Sequence, residues 1–234
     1  WRWQAGFSIG HYKNEITSLP SSSLNTIKTY ALDEYGVKIA DSENRINGYT
    51  SSIYGSNNIL TTVGQAAGVF YGYKTKGVFA SDAEAQTAGK YGYLRYPTGI
   101  AEQPYRNFKA GDVHFVDQNG DGWINEADMV VIGDPNPDIY GNIYTSLSWK
   151  GLKLDVNFKY SLGNDVYNYQ RSQLESLNTN WNQTTAAVNR WRHEGQVTDM
   201  PRVMSTSSEQ WVNNERFSDR WIEDGSYLKL KNIR

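Results

Sequence analysis

Residues 139–162 of this chain have the sequence IYGNIYTSLSWKGLKLDVNFKYSL, and this stretch decides what kind of fold the chain can form. Apolar and polar residues alternate along it, as expected for two β-strands whose two faces meet different surroundings. The parity of the pattern shifts across Lys150-Gly151, which predicts a tight turn that keeps both apolar sets on one face of a hairpin. The apolar positions include Ile139, Ile143, Leu147, Trp149, Leu152, Leu154, Val156, Phe158, Tyr160 and Leu162.

The length of the two arms bears on the surroundings of this hairpin. Each arm covers about eleven residues. A tilted strand needs about 9–11 residues to cross a bilayer, whereas strands of soluble proteins usually have about five or six. The hairpin is therefore typical of a membrane-spanning pair of strands. A long amphipathic hairpin in a soluble β-sandwich is the alternative that the pattern leaves open.

The same alternation occurs in other parts of the chain. It predicts a third strand over residues 1–10, a shorter fourth strand over 69–73, and a fifth over 228–233. We take the Lys150-Gly151 turn as periplasmic and count strands back from it. Residues 12–67 then form a large periplasmic connection, unless they contain an unrecognised pair of strands.

Polar segments with apolar residues at helical spacing separate these strands. They predict short helices over residues 21–36, 165–177 and 184–193. Outer-membrane barrels have short turns on the periplasmic side and long loops on the outside. We therefore expect long extracellular loops that contain short helices.

Composition excludes several classes of function. The net charge of −2 and the pI near 6.0 lack the basic character that nucleic-acid binding requires. The sequence has no Cys, which removes disulfides, thiolate catalysis and zinc–thiolate sites. It also has no run of about 18 apolar residues, so it predicts no membrane-spanning helix. The mean hydropathy of −0.66 is nevertheless compatible with barrel strands that alternate lipid-facing and lumen-facing side chains.

Aromatic residues are abundant, with eight Trp and seventeen Tyr. Such side chains serve equally well in a belt at a membrane interface and as stacking platforms for sugars. Four of them, Trp181, Trp191, Trp211 and Trp221, recur within one polar segment. They either line a ligand surface or pack the segment on itself.

The sharpest motif is DQNGDGWINEAD at residues 117–128. It has oxygen-bearing side chains at loop positions one, three, five, nine and twelve, glycine at six and isoleucine at eight. This is the spacing of a twelve-residue Ca²⁺ loop. The alternative is an Asx-rich turn without a metal. The predicted ligands are Asp117, Asn119, Asp121, the carbonyl oxygen of Trp123, Asn125 and Asp128.

The sequence contains none of the common enzyme motifs. His11, His114 and His193 stand far apart without an HExxH pattern, and neither a GxSxG motif nor a phosphate-binding loop occurs. The metal loop accounts for the paired carboxylates of Asp117 and Asp121. We therefore predict that the chain is not an enzyme.

Several motifs, in order along nearly the whole chain, resemble the SusC/RagA family of TonB-dependent outer-membrane transporters. The central ones are GDVHFVD at 111–117 running into the calcium motif, VIGDPNPD at 131–138, and Tyr140-Gly141. The others are FYGY at 70–73 ahead of GVF at 77–79, KGL at 150–152, GNDVYN at 163–168, NRW at 189–191, and DGSYLKLKNI at 224–233.

The resemblance implies an all-β fold, an antiparallel transmembrane β-barrel fragment, in the cell outer membrane of a Gram-negative, Bacteroidota-like organism. Residues 1–234 would form part of the barrel, with the plug and final strands absent. Within them, 80–138 would be an extracellular insertion with the calcium loop 117–128, and 163–224 a long extracellular loop.

The function implied by the resemblance is import of oligosaccharides or peptides. It implies a SusD-like surface lipoprotein and the lipid bilayer as partners, and TonB acting through a region absent from this chain. The alternative function is that of a soluble calcium-stabilised β domain that binds carbohydrate or mediates adhesion.

Overall fold

The computed structural model describes residues 1–20, 25–29, 44–53, 56–87, 107–208 and 212–234. Its helices are α1 (Asp82–Thr87) and α2 (Tyr169–Leu174), with 3₁₀ turns at Glu126–Asp128, Thr185–Asn189 and Asp219–Trp221. Its strands are β1 (Arg2–His11), β2 (Asn25–Thr29), β3 (Asn44–Ile53), β4 (Ser56–Thr62), β5 (Val69–Gly72), β6 (Thr75–Val78), β7 (Val113–Phe115), β8 (Val130–Gly133), β9 (Ile139–Trp149), β10 (Leu152–Leu162), β11 (Asp165–Tyr167), β12 (Ile222–Asp224) and β13 (Tyr227–Ile233). The described chain is all-β, and neighbouring strands in its sheets are antiparallel.

The predicted hairpin forms the centre of a four-stranded sheet in the order β1-β9-β10-β13. Strands β9 and β10 pair from Trp149 opposite Leu152 to Ile139 opposite Leu162. The two residues between them, Lys150 and Gly151, have φ angles of 45° and 87°. Positive φ at both central positions is the requirement of a type I′ turn, whose twist matches that of the flanking strands. The hairpin and its turn are confirmed.

The register of this long sheet places its apolar residues on one face, because directly opposite residues point the same way. Phe158 of β10 is opposite both Ile143 of β9 and Leu230 of β13. A β-bulge between Asn157 and Phe158 shifts the register between β10 and β13 by one residue. Because of this shift, the apolar residue near the end of β13 lies on the same face as the earlier ones. The clearest apolar rows are Trp3–Leu147–Leu154 and Phe7–Ile143–Phe158–Leu230.

Two glycines of β1 have a packing role on the opposite, polar face. A Cβ at Gly6 would lie 2.5 Å from the Tyr144 ring, and a Cβ at Gly10 would lie 2.7 Å from the Tyr140 ring. Glycine inside a strand costs stability, and it is used where another group approaches the backbone closely. The tyrosine rings therefore cover the backbone of the neighbouring strand.

Both long connections leave the sheet at the same end. His11 is opposite Ile139, and Ser161 is opposite Tyr227, so residues 12–138 and 163–226 both start and finish at the end away from the Lys150-Gly151 turn. Of the two alternatives for residues 12–67, a connection at the turn end of the sheet is therefore wrong. The strand count failed because β1 pairs directly with β9 and the strand at Val69 belongs to a different sheet.

That second sheet has the order β2-β3-β4-β5-β8. Its strands β2, β3 and β4 lie within residues 12–67, and the sequence pattern identified none of them. The helix predicted over 21–36 is wrong in its described part, because residues 25–29 form β2 and pair with β3. This segment, NTIKT, is rich in β-branched residues, which favour a strand once a partner strand is available. The rest of that predicted helix lies outside the described residues.

The other two predicted helices are present only in part. Residues 165–167 form β11 with β12 as its partner, and α2 begins after Asn168. The Asn168 side chain accepts a hydrogen bond from the Arg171 backbone N–H at 2.9 Å, which caps this helix. The helix predicted over 184–193 is reduced to a 3₁₀ turn at Thr185–Asn189. Within the described ranges, no helix is long and apolar enough to cross a membrane.

The packed core lies in the connecting segments. The fully buried apolar side chains of the described chain belong to these segments, whereas β1, β9, β10 and β13 contribute none. One cluster surrounds β7 and consists of Phe79, Ala85, Phe108, Val113, Phe115, Ile124 and Val212. The long sheet thus presents its apolar face to its surroundings, and the connections carry the protein core.

Candidate functional site

The loop at residues 117–128 follows β7 and folds around its own oxygen atoms. The Asp117 carboxylate accepts hydrogen bonds from the backbone N–H groups of Gly120 at 2.7 Å and Gly122 at 2.8 Å. The Asn119 side chain accepts one from the Asp121 N–H, and the Asp121 carboxylate accepts one from the Trp123 N–H. The backbone turns through positive φ at both glycines.

Asp128 closes this loop. It is fully buried, and its two carboxylate oxygens accept hydrogen bonds at 2.8 Å from the N–H groups of Gln118 and Asn125. Burial raises the pKa of Asp128 to about 7, and the charges of Asp117 and Asp121 add to this effect. Asp128 thus ties the start of the loop to its end at the cost of burying a carboxylate near two others.

The closing turn is capped and anchored. The Asn125 side chain accepts a hydrogen bond from the Ala127 N–H at 2.7 Å, which starts the 3₁₀ turn. The side chains of Trp123 and Ile124 are buried, and Ile124 belongs to the cluster around β7. The loop is therefore attached to the core by the two residues that separate its acidic half from its closing turn.

The six predicted ligands fit a hard cation in kind, because all of them offer oxygen. Their arrangement is less complete. In the described part of the chain, no group of three or more His, Cys, Asp or Glu residues is arranged so that it could hold a metal ion. Each of the three carboxylates accepts backbone N–H groups instead. The backbone of the loop is already folded into its turns in this structure. Binding a cation would require the three carboxylates to move closer together.

Sequence reasoning did not predict a buried ion pair between Asp112 and Arg202. Arg202 donates two hydrogen bonds to the Asp112 carboxylate, at 2.7 and 2.9 Å, and Asp112 is completely buried. Asn214 also donates to Asp112 and accepts the Val113 N–H. The partners are about 90 or 100 residues apart in the chain, so no local pattern could have revealed them.

Histidines and tryptophans occupy separate places in the structure. His114 stacks on Phe79 with 4.3 Å between ring centroids, and burial lowers its pKa. Among the four recurring tryptophans, Trp221 is buried, and Trp191 donates its ring N–H to the Ala80 carbonyl. Trp181 is 69% exposed. Trp211 lies outside the described residues.

The apolar face of the long sheet is the second candidate site, and it is open. Ile143 and Leu154 are 46% and 47% exposed, and neither Leu147 nor Phe158 is buried. No element of the described chain buries this face, which continues across four strands. A contiguous apolar surface of this kind marks contact with a membrane or a partner.

Aromatic residues mark one end of that face. Trp1 and Trp149 stack with 5.2 Å between ring centroids beside the Lys150-Gly151 turn. The Lys150 ammonium group lies 5.3 Å from the Trp149 ring centroid. Tryptophan and lysine at the end of an apolar band are typical of a membrane–water interface, because each has an apolar body and a polar tip.

Comparison with known proteins gives consistent relatives, although no family model matches the chain. The chain is 32% identical over 170 residues to TonB-dependent receptor P3 of Formosa agariphila, covering 73% of this chain and 15% of that receptor. It is 29% identical over 211 residues to TonB-dependent receptor P26 of the same organism, covering 90% of this chain and 19% of that receptor. The chain thus spans less than a fifth of the length of these curated relatives.

Solved structures show the same likeness at the level of the fold. The chain matches the RagAB peptide transporter with a TM-score of 0.54 and 20% identity, over 84% of this chain and 18% of that one. It matches the RagAB peptide importer in the open-open state with a TM-score of 0.50 and 21% identity, over 99% of this chain and 20% of that one. The fold of the chain is therefore that of part of an outer-membrane β-barrel transporter.

Proposed function

Because this chain belongs to the TonB-dependent receptors of the bacterial outer membrane, we propose that it forms part of a nutrient importer. The long sheet is a section of the barrel wall, with its apolar face in lipid and its polar face toward the lumen. The observation that carries this proposal is the open apolar face, on which residues such as Phe7 and Leu228 are 75% and 65% exposed. Burying this face in lipid removes the cost of exposing it to water.

The two long connections lie on the outside of the cell in this proposal. Residues 12–138 and 163–226 leave the sheet at the end opposite the two-residue turn, and outer-membrane barrels keep their short turns in the periplasm. The insertion at 80–138 and the loop at 163–224 are then extracellular and accessible to ligand. A chain that lines and caps a transport pathway needs no catalytic group, and we expect none here.

Membrane fractionation of the full-length receptor tests this proposal. We expect the receptor to stay with outer-membrane vesicles after washing at high pH and to require detergent for extraction. A receptor that is released by the wash would contradict the lipid-facing role of the sheet and favour the soluble alternative.

We further propose that the whole receptor imports oligosaccharides or peptides together with a SusD-like surface lipoprotein, with energy supplied through TonB. The likeness to the RagAB peptide transporter supports the importer function, and the sequence resemblance to the SusC/RagA family supports the lipoprotein partner. The test is co-purification of the affinity-tagged receptor with a lipoprotein from its native membrane. Recovery of the receptor alone under mild detergent would contradict the partnership.

For the loop at 117–128 we propose a structural Ca²⁺ ion held by the six predicted ligands. The support is the complete twelve-residue spacing and the burial of Asp128 beside the loop acids. A bound divalent cation supplies positive charge that balances the negative charges of the three carboxylates. The role of these side chains is then to hold the loop closed against the core.

Terbium luminescence tests the ion, because the buried Trp123 lies within the loop and can transfer excitation energy to Tb³⁺. We expect Tb³⁺ emission on excitation of tryptophan in the full-length receptor, with loss of emission on adding Ca²⁺. The Asp121→Ala variant should abolish this signal. The control variant Asp82→Ala, outside the loop, should retain it. Equal signals from both variants would contradict the site.

A further inference from the structure

A cleft between the five-stranded sheet and the segment that follows β11 has no assigned role. Its volume is about 730 Å³, which is within the range of small-ligand sites. Its lining includes Tyr71 in β5, Tyr73 shortly after β5, Tyr167 and Tyr169 at and after the end of β11, and Trp181. Among the described members of the tryptophan series, Trp181 is the most exposed, at 69%.

Tyr71 supplies an independent sign that the cleft takes a ligand. This residue is only 3% exposed, and its hydroxyl oxygen has no hydrogen-bond partner among the described residues. A buried hydroxyl without a partner costs about 1–3 kcal/mol, so native structures rarely keep one without a reason. Phenylalanine would fill the same space without this cost. A ligand or ordered water that reaches this hydroxyl would satisfy it.

The polar groups of the cleft are preorganised. The Asn178 side-chain amide donates a hydrogen bond to the Glu215 carboxylate at 2.7 Å, and the Ser176 hydroxyl donates to the side-chain oxygen Oδ1 of Asn178 at 2.8 Å. At the start of the same segment, the hydroxyl groups of Tyr167 and Ser172 are 3.1 Å apart. Such networks fix the direction of short amide, carboxylate and hydroxyl groups, which suits a ligand with many hydroxyls.

Charge selects against an acidic ligand. The cleft is lined by two carboxylates, Glu126 and Glu215, and one cation, Arg216. The Arg216 guanidinium lies over the rings of Tyr73 at 5.0 Å and Phe115 at 4.5 Å, and it donates to the Val212 carbonyl. Arg216 thus packs against the core, with its Nη1 lacking a hydrogen-bond partner among the described residues. The described lining of the cleft carries one more negative than positive charge.

The backbone selects against an extended peptide. Peptides commonly bind by adding a strand to an open sheet edge. The sheet residues that line the cleft belong to β3, β4 and β5, which are inner strands of their sheet. Their main-chain groups face neighbouring strands, and the cleft therefore offers side chains rather than an edge.

We propose that this cleft binds a neutral oligosaccharide, with Trp181 as a stacking platform at its mouth and the Asn178–Glu215 pair as hydrogen-bonding groups. The proposal rests on the importer function and names the ligand class that this part of the receptor recognises. Aromatic faces bind the apolar faces of sugar rings, and paired amide and carboxylate groups bind vicinal hydroxyls.

The test measures binding of defined hexasaccharides to the full-length receptor in detergent by titration calorimetry. The probes are maltohexaose and cellohexaose as neutral sugars, hexagalacturonate as an acidic sugar, and a mixture of hexapeptides. We expect binding of a neutral hexasaccharide. Trp181→Ala should weaken it by about tenfold, equivalent to about 1.4 kcal/mol. Tyr12→Ala, an exposed aromatic outside the cleft, should not weaken it.

Tyr71→Phe provides a second measurement that a purely structural role would not move. We expect this variant to bind the sugar several-fold more weakly, while the melting temperature of the ligand-free receptor stays the same or rises. The reason is that the free receptor loses no hydrogen bond when the unpartnered hydroxyl is removed. A drop in melting temperature without loss of affinity would overturn the role of Tyr71.

Three outcomes overturn the proposal while leaving the importer function intact. They are binding of peptides or acidic sugar only, failure to bind any neutral probe, and binding of a neutral sugar that Trp181→Ala and Tyr71→Phe do not affect. Growth of cells on the imported nutrient is measured in parallel. If deletion of the receptor leaves uptake unchanged, the importer function itself fails, whatever the cleft binds.

Discussion

The long sheet and the connecting segments place the same residue types in opposite environments. Phe7 in β1 is 75% exposed and Phe115 in β7 is 2% exposed, while Trp3 and Trp123 are 69% and 2% exposed. Residue type therefore does not determine burial in this chain. One face of the sheet is apolar and suits contact with an apolar medium. The connections, in contrast, must bury their apolar residues among themselves. The same kind of substitution should consequently have different effects on stability in the two regions.

The largest expected effect is loss of the buried ion pair in the connections. Asp112→Ala removes the shared acceptor of three donors, which are the Arg202 guanidinium, the Lys109 backbone N–H and the Asn214 side-chain amide. We expect destabilisation of about 3–5 kcal/mol, seen as faster hydrogen exchange in peptides covering residues 107–117 of the full-length receptor. The exposed pair Lys153–Asp155 is the control, and Lys153→Ala should cost less than about 1 kcal/mol. Equal effects would contradict the contrast between the regions.

The next effect in size concerns the apolar face of the sheet. Ile143→Lys places a charge in the lipid and should cost about 2–4 kcal/mol near the bilayer centre. Gln4→Lys, which adds the same side chain to the polar face, should cost little. Denaturant unfolding of the receptor in lipid vesicles measures both changes. If the two lysines cost the same, the two faces do not have different surroundings.

The hairpin turn has a smaller expected effect, of purely local origin. Gly151→Ala introduces a Cβ at a φ of 87° and should cost about 1–2 kcal/mol. Lys150→Asn should act in the opposite direction, because asparagine tolerates positive φ better than lysine does. The same unfolding measurement applies. A neutral result for Gly151→Ala would show that the turn relaxes to another type.

The smallest effect is a pH dependence in the connections. Burial beside Phe79 and the nearby Lys76 lower the pKa of His114 below its usual 6.5, so the unfolded chain binds the proton more tightly than the folded one. The contribution of His114 to stability is therefore complete above about pH 6.5 and decreases as the pH falls below it. The raised pKa of Asp128 gives a separate contribution of the opposite sign, which the comparison with a His114 variant cancels. The His114 component should lower the protection factors of the β7 amides, corrected for the slower intrinsic exchange at low pH, between pH 7 and about pH 5. His114→Phe should remove this component, and persistence of the slope in that variant would assign it to another group.

The sequence predicted the sheet better than the connections, for a physical reason. Strand alternation depends only on which side of a strand faces lipid, so β9 and β10 could be read directly from residues 139–162. The helix predicted over 21–36 failed because pairing of β2 with β3 outweighed the helical spacing. The helix predicted over 165–177 formed only in part, as α2. Its start is set by the Asn168 side chain, which caps the first turn.

The candidate sites divide in the same way. The loop at 117–128 is contiguous, so its spacing was visible in the sequence, and whether it holds Ca²⁺ stays a prediction. The cleft around Tyr71 and Trp181 draws on residues more than 100 positions apart, and no local motif marks it. The tryptophan series gave the only hint, and the structure assigns its members different roles.

The sequence alone determined the alternation of the long strands, the two-residue turn and the spacing of the acidic loop, because each depends on residues that are neighbours in the chain. Only the tertiary structure decided that β1 pairs with β9, that Asp112 meets Arg202, and which tryptophan stays exposed. These features depend on which distant segments pack together. That choice is made by the burial of many side chains at once and not by any one of them.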